Sequence, residues 1–366
     1  VAKQGAKQGR VLVVGAGING LSAAWGLARR GFEVAVFDQG AIPNPVSSSF
    51  DEHRATRHAY GEMHRYARMM PAAFATYEQM WVDIGRCHYD PVGLVVFQRE
   101  EDSWIKASLA DMDEMGIGWR EIEVAAVPEL YPMIAPEGLT RAVAMEGAGV
   151  LFPSRILTDL VVHLSLKGVA FHANTRITAI DPETASLTTA DGKQHQGDYL
   201  VIAAGAWATR LVPELAIEAT PSRQAVIFVA PPVELATQWQ VAPVFFDLGK
   251  ESGTYTLPPR PGTRLKIGDH EFTRRGDPDG SRIADDRDVE RLMKAASLSY
   301  AGFERYSVLE RKACFYTVTD DERFIARPIG PKASLLSACS GHGFKLGALM
   351  GDLMARGIAE GEPFVH

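Results

Sequence analysis

The chain has 366 residues, a formal net charge of −7, 46% hydrophobic and 23% charged residues, and three cysteines. That is enough chain for about two domains with sizeable cores, at roughly 150 residues per domain, and it excludes disorder. Three cysteines cannot build a disulfide framework, and 45 Asp and Glu against 38 Lys and Arg exclude a phosphate-neutralising, nucleic-acid-binding surface.

The polar, basic start Val1–Arg10 has no apolar signal core, and no apolar run reaches the roughly 18 residues that span a bilayer. The expectation is a cytoplasmic protein with free thiols, no membrane partner and a small-molecule ligand. Val1–Gly9, with its repeated Ala-Lys-Gln-Gly, reads as a flexible tail.

Val11–Val14 is a short apolar run, as in a strand buried on both faces, and it leads into Gly15-Ala16-Gly17-Ile18-Asn19-Gly20. Leu21, Ala24, Leu27 and Ala28 then recur at helical spacing up to Gly31, and Glu33–Phe37 forms a second strand ended by Asp38. This is a complete βαβ unit. Gly15, Gly17 and Gly20 permit a tight turn, close backbone approach to a pyrophosphate and close helix packing, while Asp38 stands where a carboxylate meets an adenosine ribose.

Gly93–Phe97, Gln224–Val229, Tyr255–Leu257 and Arg264–Gly268 read as antiparallel strands of a second, mixed sheet, broken at Pro231-Pro232 and Pro258–Pro261. Tyr199–Ala204 reads as a return to the nucleotide sheet. There Gly205-Ala206 lets backbone approach a ligand, and a short helix follows from Ala208 to Leu211.

Four stretches could carry chemistry. In Ser47–Glu62, a helical reading puts Arg54, Arg57 and His58 on one face, which suits either an anion or electron-rich ring, or a solvated basic face. In Arg264–His270, strand alternation sets Lys266 and His270 opposite Leu265 and Ile267, and by itself a strand lysine is expected to point at water. Cys314, beside Phe315 and Tyr316, reads by default as a small buried hydrophobe, as do Cys87 and Cys339. No cysteine or histidine pattern has metal-ligand spacing.

The fourth stretch is an apolar strand from Ser334 to Ser340, then Gly341-His342-Gly343-Phe344-Lys345, then a helix. Lys345 in that first turn stands against the helix dipole, which marks a functional demand.

Taken in order, these stretches resemble the monomeric sarcosine oxidase and N-methyltryptophan oxidase family, within the flavin-dependent amine and D-amino-acid oxidase superfamily. The resemblance runs over essentially the whole chain. It implies an α/β fold, a Rossmann-like FAD-binding domain (1–82, 142–215 and 312–366) interleaved with a mixed or antiparallel β-sheet substrate domain (83–141 and 216–311). It implies FAD attached through Cys314, Lys266 as the cation that activates oxygen, and Arg54 over the flavin ring. Arg57 and Lys345 become a clamp for the substrate carboxylate. Tyr255, His270 and Tyr316 line the substrate cavity, and Gly205, Gly341, His342, Gly343 and Lys345 lie at the cofactor.

The activity implied is oxidation of a secondary amine, an N-methyl or cyclic amino acid, by hydride transfer to FAD, imine hydrolysis and reduction of O2 to H2O2 by a monomer. The alternatives are a dehydrogenase that passes electrons to a quinone or protein, and a non-redox, flavin-stabilised binding protein. Two departures bear on the cavity wall: Leu257–Thr263 replaces an aromatic, glycine-rich turn, and His53 replaces a smaller residue.

Overall fold

The computed structural model describes residues 8–337, 339–362 and 364–365; most of the expected N-terminal tail therefore lies outside the described residues. Arg10–Val14, Ile18–Arg29 and Glu33–Phe37 form the strand, helix and strand that the sequence predicts. The two strands pair in parallel, and Val13 sits between Val36 and Val201. Burial on both faces explains the absence of polar alternation in Val11–Val14.

This pair belongs to a six-stranded sheet. Its order is Ile325–Gly330, Ala333–Ser337, Tyr199–Ile202, Arg10–Val14, Glu33–Phe37 and Ala170–His172, and only the Ile325–Gly330 edge runs antiparallel to its neighbour. Helix Ile18–Arg29, helix Phe344–Glu360 and helices His64–Ile84 and Pro153–Leu166 cover one face. The other face buries Leu12, Phe37 and Leu200 against Ile177 and Leu187 of a three-stranded meander.

The first and last helices cross at small residues. A Cβ on Gly351 would lie 2.5 Å from the Ala23 nitrogen, and one on Gly347 would lie 2.6 Å from Ile18 Cγ1. This contact brings two helix N-termini, at Gly17 and Gly343, to the same end of the sheet.

The second sheet has eight strands, in the order Ser307–Val318, Thr220–Ala230, Leu265–Gly268, Thr254–Leu257, Val244–Asp247, Leu94–Gln98, Arg141–Met145 and Trp119–Ile122. Every pairing is antiparallel except Val244–Asp247 with Leu94–Gln98. Leu265, Ile267 and Phe245 pack under helix Asp286–Ser299, whereas Phe246 and Leu257 face the opposite way. Strands Arg141–Met145 and Ser307–Val318 lie in this sheet, although the sequence division put the first almost wholly, and the second from Lys312 on, with the nucleotide unit. Strand character is local, but the choice of sheet depends on partners far away in sequence.

The helical reading of Arg54–His58 is corrected. Arg54–Thr56 is a short strand, paired with Gly149–Leu151 in a three-stranded sheet with Tyr89–Asp90. β-Branched Thr56 and the long reach to residue 150 favour the ladder over an isolated basic helical turn. Among the described residues, no helix is long and apolar enough to cross a membrane.

Candidate active site

Two cavities meet at Arg54 and Tyr316. The first lies at the C-terminal ends of the parallel strands, and its wall includes Gly15, Gly17, Asp38, Gly205, Trp207 and Gly343. Gly15 has φ +106°, and a Cβ there would lie 2.3 Å from the Ala203 carbonyl oxygen; a Cβ on Gly20 would lie 1.9 Å from the Gly15 carbonyl oxygen. Only glycine fits either place. This cradle, with two helix N-termini that no side chain of their own cap residue closes, fits a dinucleotide pyrophosphate.

Asp38 is more committed than its sequence context shows. Its Oδ2 accepts the Ala16 N–H at 2.9 Å, and its Oδ1 accepts Gly40 N–H at 2.9 Å and Asn44 Nδ2–H at 2.8 Å. A carboxylate has about four acceptor positions, so one, on Oδ2, remains for a ribose hydroxyl. Ser49 Oγ takes the Ile18 N–H at 3.0 Å, which is one orphan donor of the first helix. Gly205 has φ +54° and open space on its Cβ side.

The second cavity, of about 520 Å³, lies between the sheets. Arg57 and Lys345 enter it from opposite ends of the chain, and both rest on Tyr60. The Arg57 guanidinium carbon is 4.9 Å from the ring centroid and Lys345 Nζ is 4.8 Å from it. Arg57 also lies 4.9 Å from the Phe246 ring and 5.7 Å from Trp104, and its Nε and Nη1 lack any hydrogen-bond partner. No ion pair joins either cation to a carboxylate among the described residues. Burial depresses the pKa of both, and for Lys345 the neighbouring Arg57 adds to the fall.

His270 lies in the same cavity beside Tyr255, at 5.3 Å between ring centroids, and Phe246, at 5.6 Å. Its edge is open to solvent, but desolvation in the cavity first, then Arg57 and Lys345, lowers its pKa to about 4, so the ring is neutral at pH 7. Arg54 donates to Tyr316 Oη at 3.2 Å and to the Ser48 carbonyl at 2.8 Å. Cys314 shares a strand face with Tyr316, pairs with Gln224 in the ladder, and its thiol pKa is pushed up by burial and held down in part by Arg54.

The solvent-facing expectation for Lys266 is overturned. Its side chain is 0% exposed, and Nζ donates to Asp51 Oδ2 at 2.8 Å and to the His53 carbonyl at 2.5 Å. Because Leu265 and Ile267 belong to the core under the helix, alternation turns Lys266 toward the cavity side, where a buried carboxylate meets it.

His342 differs from its expected place. Its ring lines the second cavity only and is engaged by Tyr60 Oη at 3.3 Å and the Glu322 carbonyl at 2.9 Å, so it braces Tyr60. Tyr60, Trp104, Phe246 and Asp51 carried no signal that sequence reasoning used, although Tyr60 and Asp51 stand in the same basic stretch as Arg54.

A family model described as FAD dependent oxidoreductase (DAO) matches residues 10–356. The chain belongs to the FAD-dependent oxidoreductase family. Monomeric sarcosine oxidase of Bacillus sp. (strain B-0618) is 25% identical over an alignment of 359 positions that covers 94% of this chain and 91% of that protein. N-methyl-L-tryptophan oxidase of Yersinia pestis (strain Pestoides F) is 22% identical, over 94% of this chain and 93% of that protein.

Among solved structures, L-proline dehydrogenase from P. horikoshii superposes with a TM-score of 0.84 at 17% identity, covering 98% of this chain and 95% of that one. NikD, an amino acid oxidase of nikkomycin biosynthesis, superposes with a TM-score of 0.82 at 19% identity, covering 97% and 94%. These two likenesses show the same fold for this FAD-dependent oxidoreductase.

Proposed function

We propose that this flavoenzyme oxidises a secondary amine that carries a carboxylate, an N-methyl or cyclic amino acid, with O2 as the acceptor and H2O2 as a product. The observation that carries the reading is the partly buried Arg57 and the buried Lys345 on one tyrosine ring, with no ion pair from either to a carboxylate among the described residues. Two like charges held together in a cavity, one of them buried, oppose folding unless an anion joins them, and a substrate carboxylate supplies it. The sarcosine and N-methyltryptophan oxidase relatives support the same class by name.

Gly15, Gly17, Gly20, Asp38, Gly205 and the Gly341–Gly343 turn would hold FAD, with Cys314 as its attachment point, and the bound cofactor would supply a two-electron acceptor for the hydride equivalent on the carbon next to nitrogen. The protein's part is orientation and charge. Arg57 and Lys345 fix the remote end of the substrate, an effect that limits the reacting end to few geometries. Neutral His270, with Tyr255, presents hydrogen-bonding groups that do not repel an amine. Lys266 places an ammonium where charge develops on oxygen. Water then hydrolyses the imine to an amine and a carbonyl compound.

The test is a peroxide assay of the purified protein with sarcosine, other N-methyl amino acids, proline and pipecolate. Stoichiometric peroxide from at least one of them is expected. Amine-dependent bleaching of the flavin in the absence of oxygen, with slow recovery in air, would instead establish a dehydrogenase. No bleaching by any of them would refute the substrate class. Acid precipitation tests attachment, since a yellow pellet is expected from the native protein and a colourless one from Cys314→Ser.

A further inference from the structure

Lys266 and Asp51 stand 215 positions apart in sequence, and their side chains are 0% and 4% exposed. Around the same carboxylate lie Arg54, with Nη2 at 3.2 Å from Oδ2, and Lys312, with Nζ at 3.7 Å from Oδ1. Three cations therefore share one anion. Of the other titratable groups that feel Asp51, Cys314 and Tyr255 have pKa values raised first by burial and stay neutral near pH 7, and His53 is fully buried, with burial and then Lys266 lowering its pKa to about 3, so none of them adds charge near neutral pH.

We propose that Asp51 is a positioning residue for oxygen reduction: it holds Lys266 in place as an ammonium and leaves one N–H of that ammonium for whatever enters the cavity. The donor count supports this. A lysine ammonium has three N–H bonds; Asp51 takes one and the His53 carbonyl a second. Lys266 lines the substrate cavity, so the third is the donor available there.

The charge count supports it too. Of the three cations, Arg54 stays protonated under any ordinary burial, and the Lys312 side chain is 24% exposed and so partly hydrated. Lys266 is the one that sheds its proton first if the carboxylate is neutralised. Burial, Arg54 and Lys312 already draw its pKa down to about 8, and Asp51 is the group that draws it up.

The inference rests on the reading of Lys266 as the oxygen-activating cation, and the experiment separates the two. Flavin-containing native protein, Asp51→Asn, Lys266→Met and the double variant are reduced by substrate without oxygen, mixed with oxygenated buffer, and followed by visible absorbance. A second readout, independent of turnover, is sulfite affinity, which reports positive charge at the flavin, from about pH 6 to 9.

The expected result is that Asp51→Asn slows reoxidation by about fivefold or more near pH 8, with recovery in acid, and moves the sulfite-affinity step down by about one pH unit or more. In the Lys266→Met background the Asp51→Asn change is expected to have no further effect on reoxidation. That comparison removes both ends of the ion pair and serves if Asp51→Asn alone does not fold.

A native rate and an unmoved sulfite step in Asp51→Asn would overturn the proposal, as would further slowing in the double variant. Native reoxidation in Lys266→Met would instead refute the role given to Lys266 itself.

Discussion

Lys345→Met is expected to make the substrate-free protein more stable and the enzyme far worse. Lys345 Nζ and the Arg57 guanidinium lie 4.8 and 4.9 Å from one ring centroid, so the charges are no more than about 10 Å apart, and at an effective dielectric of about 20 they repel by at least about 1.7 kcal/mol. The folded protein meets this cost either as repulsion or as loss of the Lys345 proton. Because the folded pKa lies below the unfolded one, the group opposes folding at every pH below the ordinary lysine value.

Removing the charge keeps the methylene volume and is expected to raise the melting temperature by about 2 °C, for a chain of this length. The substrate carboxylate, however, loses one of two charged partners in a water-poor cavity. Truncating one side of such a buried pair costs about 2 to 5 kcal/mol, or roughly 30- to 5000-fold in kcat/KM. Thermal melts of the substrate-free protein and peroxide production from the best N-methyl amino acid measure the two effects. A matched amine without the carboxylate should lose much less. A lower melting temperature together with kcat/KM within about twofold of native would refute the reasoning.

Gly20→Ala is expected to abolish flavin retention, because its Cβ would lie 1.9 Å from the Gly15 carbonyl oxygen in the turn of the cradle. The flavin-to-protein absorbance ratio reads this, and a native ratio would count against the cradle. Acid stability follows from His53, which is fully buried and whose pKa burial lowers to about 3. It is neutral when folded but protonated when unfolded below the ordinary histidine pKa, so stability should fall as pH drops from about 6.5 toward 4, by about 3 kcal/mol. Denaturant titrations of native and His53→Gln proteins test it: the variant should lose less between about pH 6.5 and 4, and an equal loss would refute the assignment.

Local chemistry made the nucleotide unit legible. Val11–Val14, the three glycines, the helical repeat and Asp38 fall within 28 residues of one another, and each enforces its conformation without help from distant chain. The Gly343 junction and the misplaced charge of Lys345 were legible for the same reason: a cation in a helix's first turn opposes a field that the helix itself creates.

What folding decided was which distant groups share a low-dielectric space. Lys266 reads as a solvent-facing strand residue until Asp51 is brought to 2.8 Å from it, and Arg54 reads as helical until residues 149–151 offer it a ladder. Strand periodicity assigns Cys314 a side of its strand but not the sheet in which that strand pairs, and Tyr60 becomes a platform only when Arg57 and Lys345 converge on it. Charge, burial and partner choice depend on separation in space, and for groups up to 288 positions apart only the tertiary structure sets that distance.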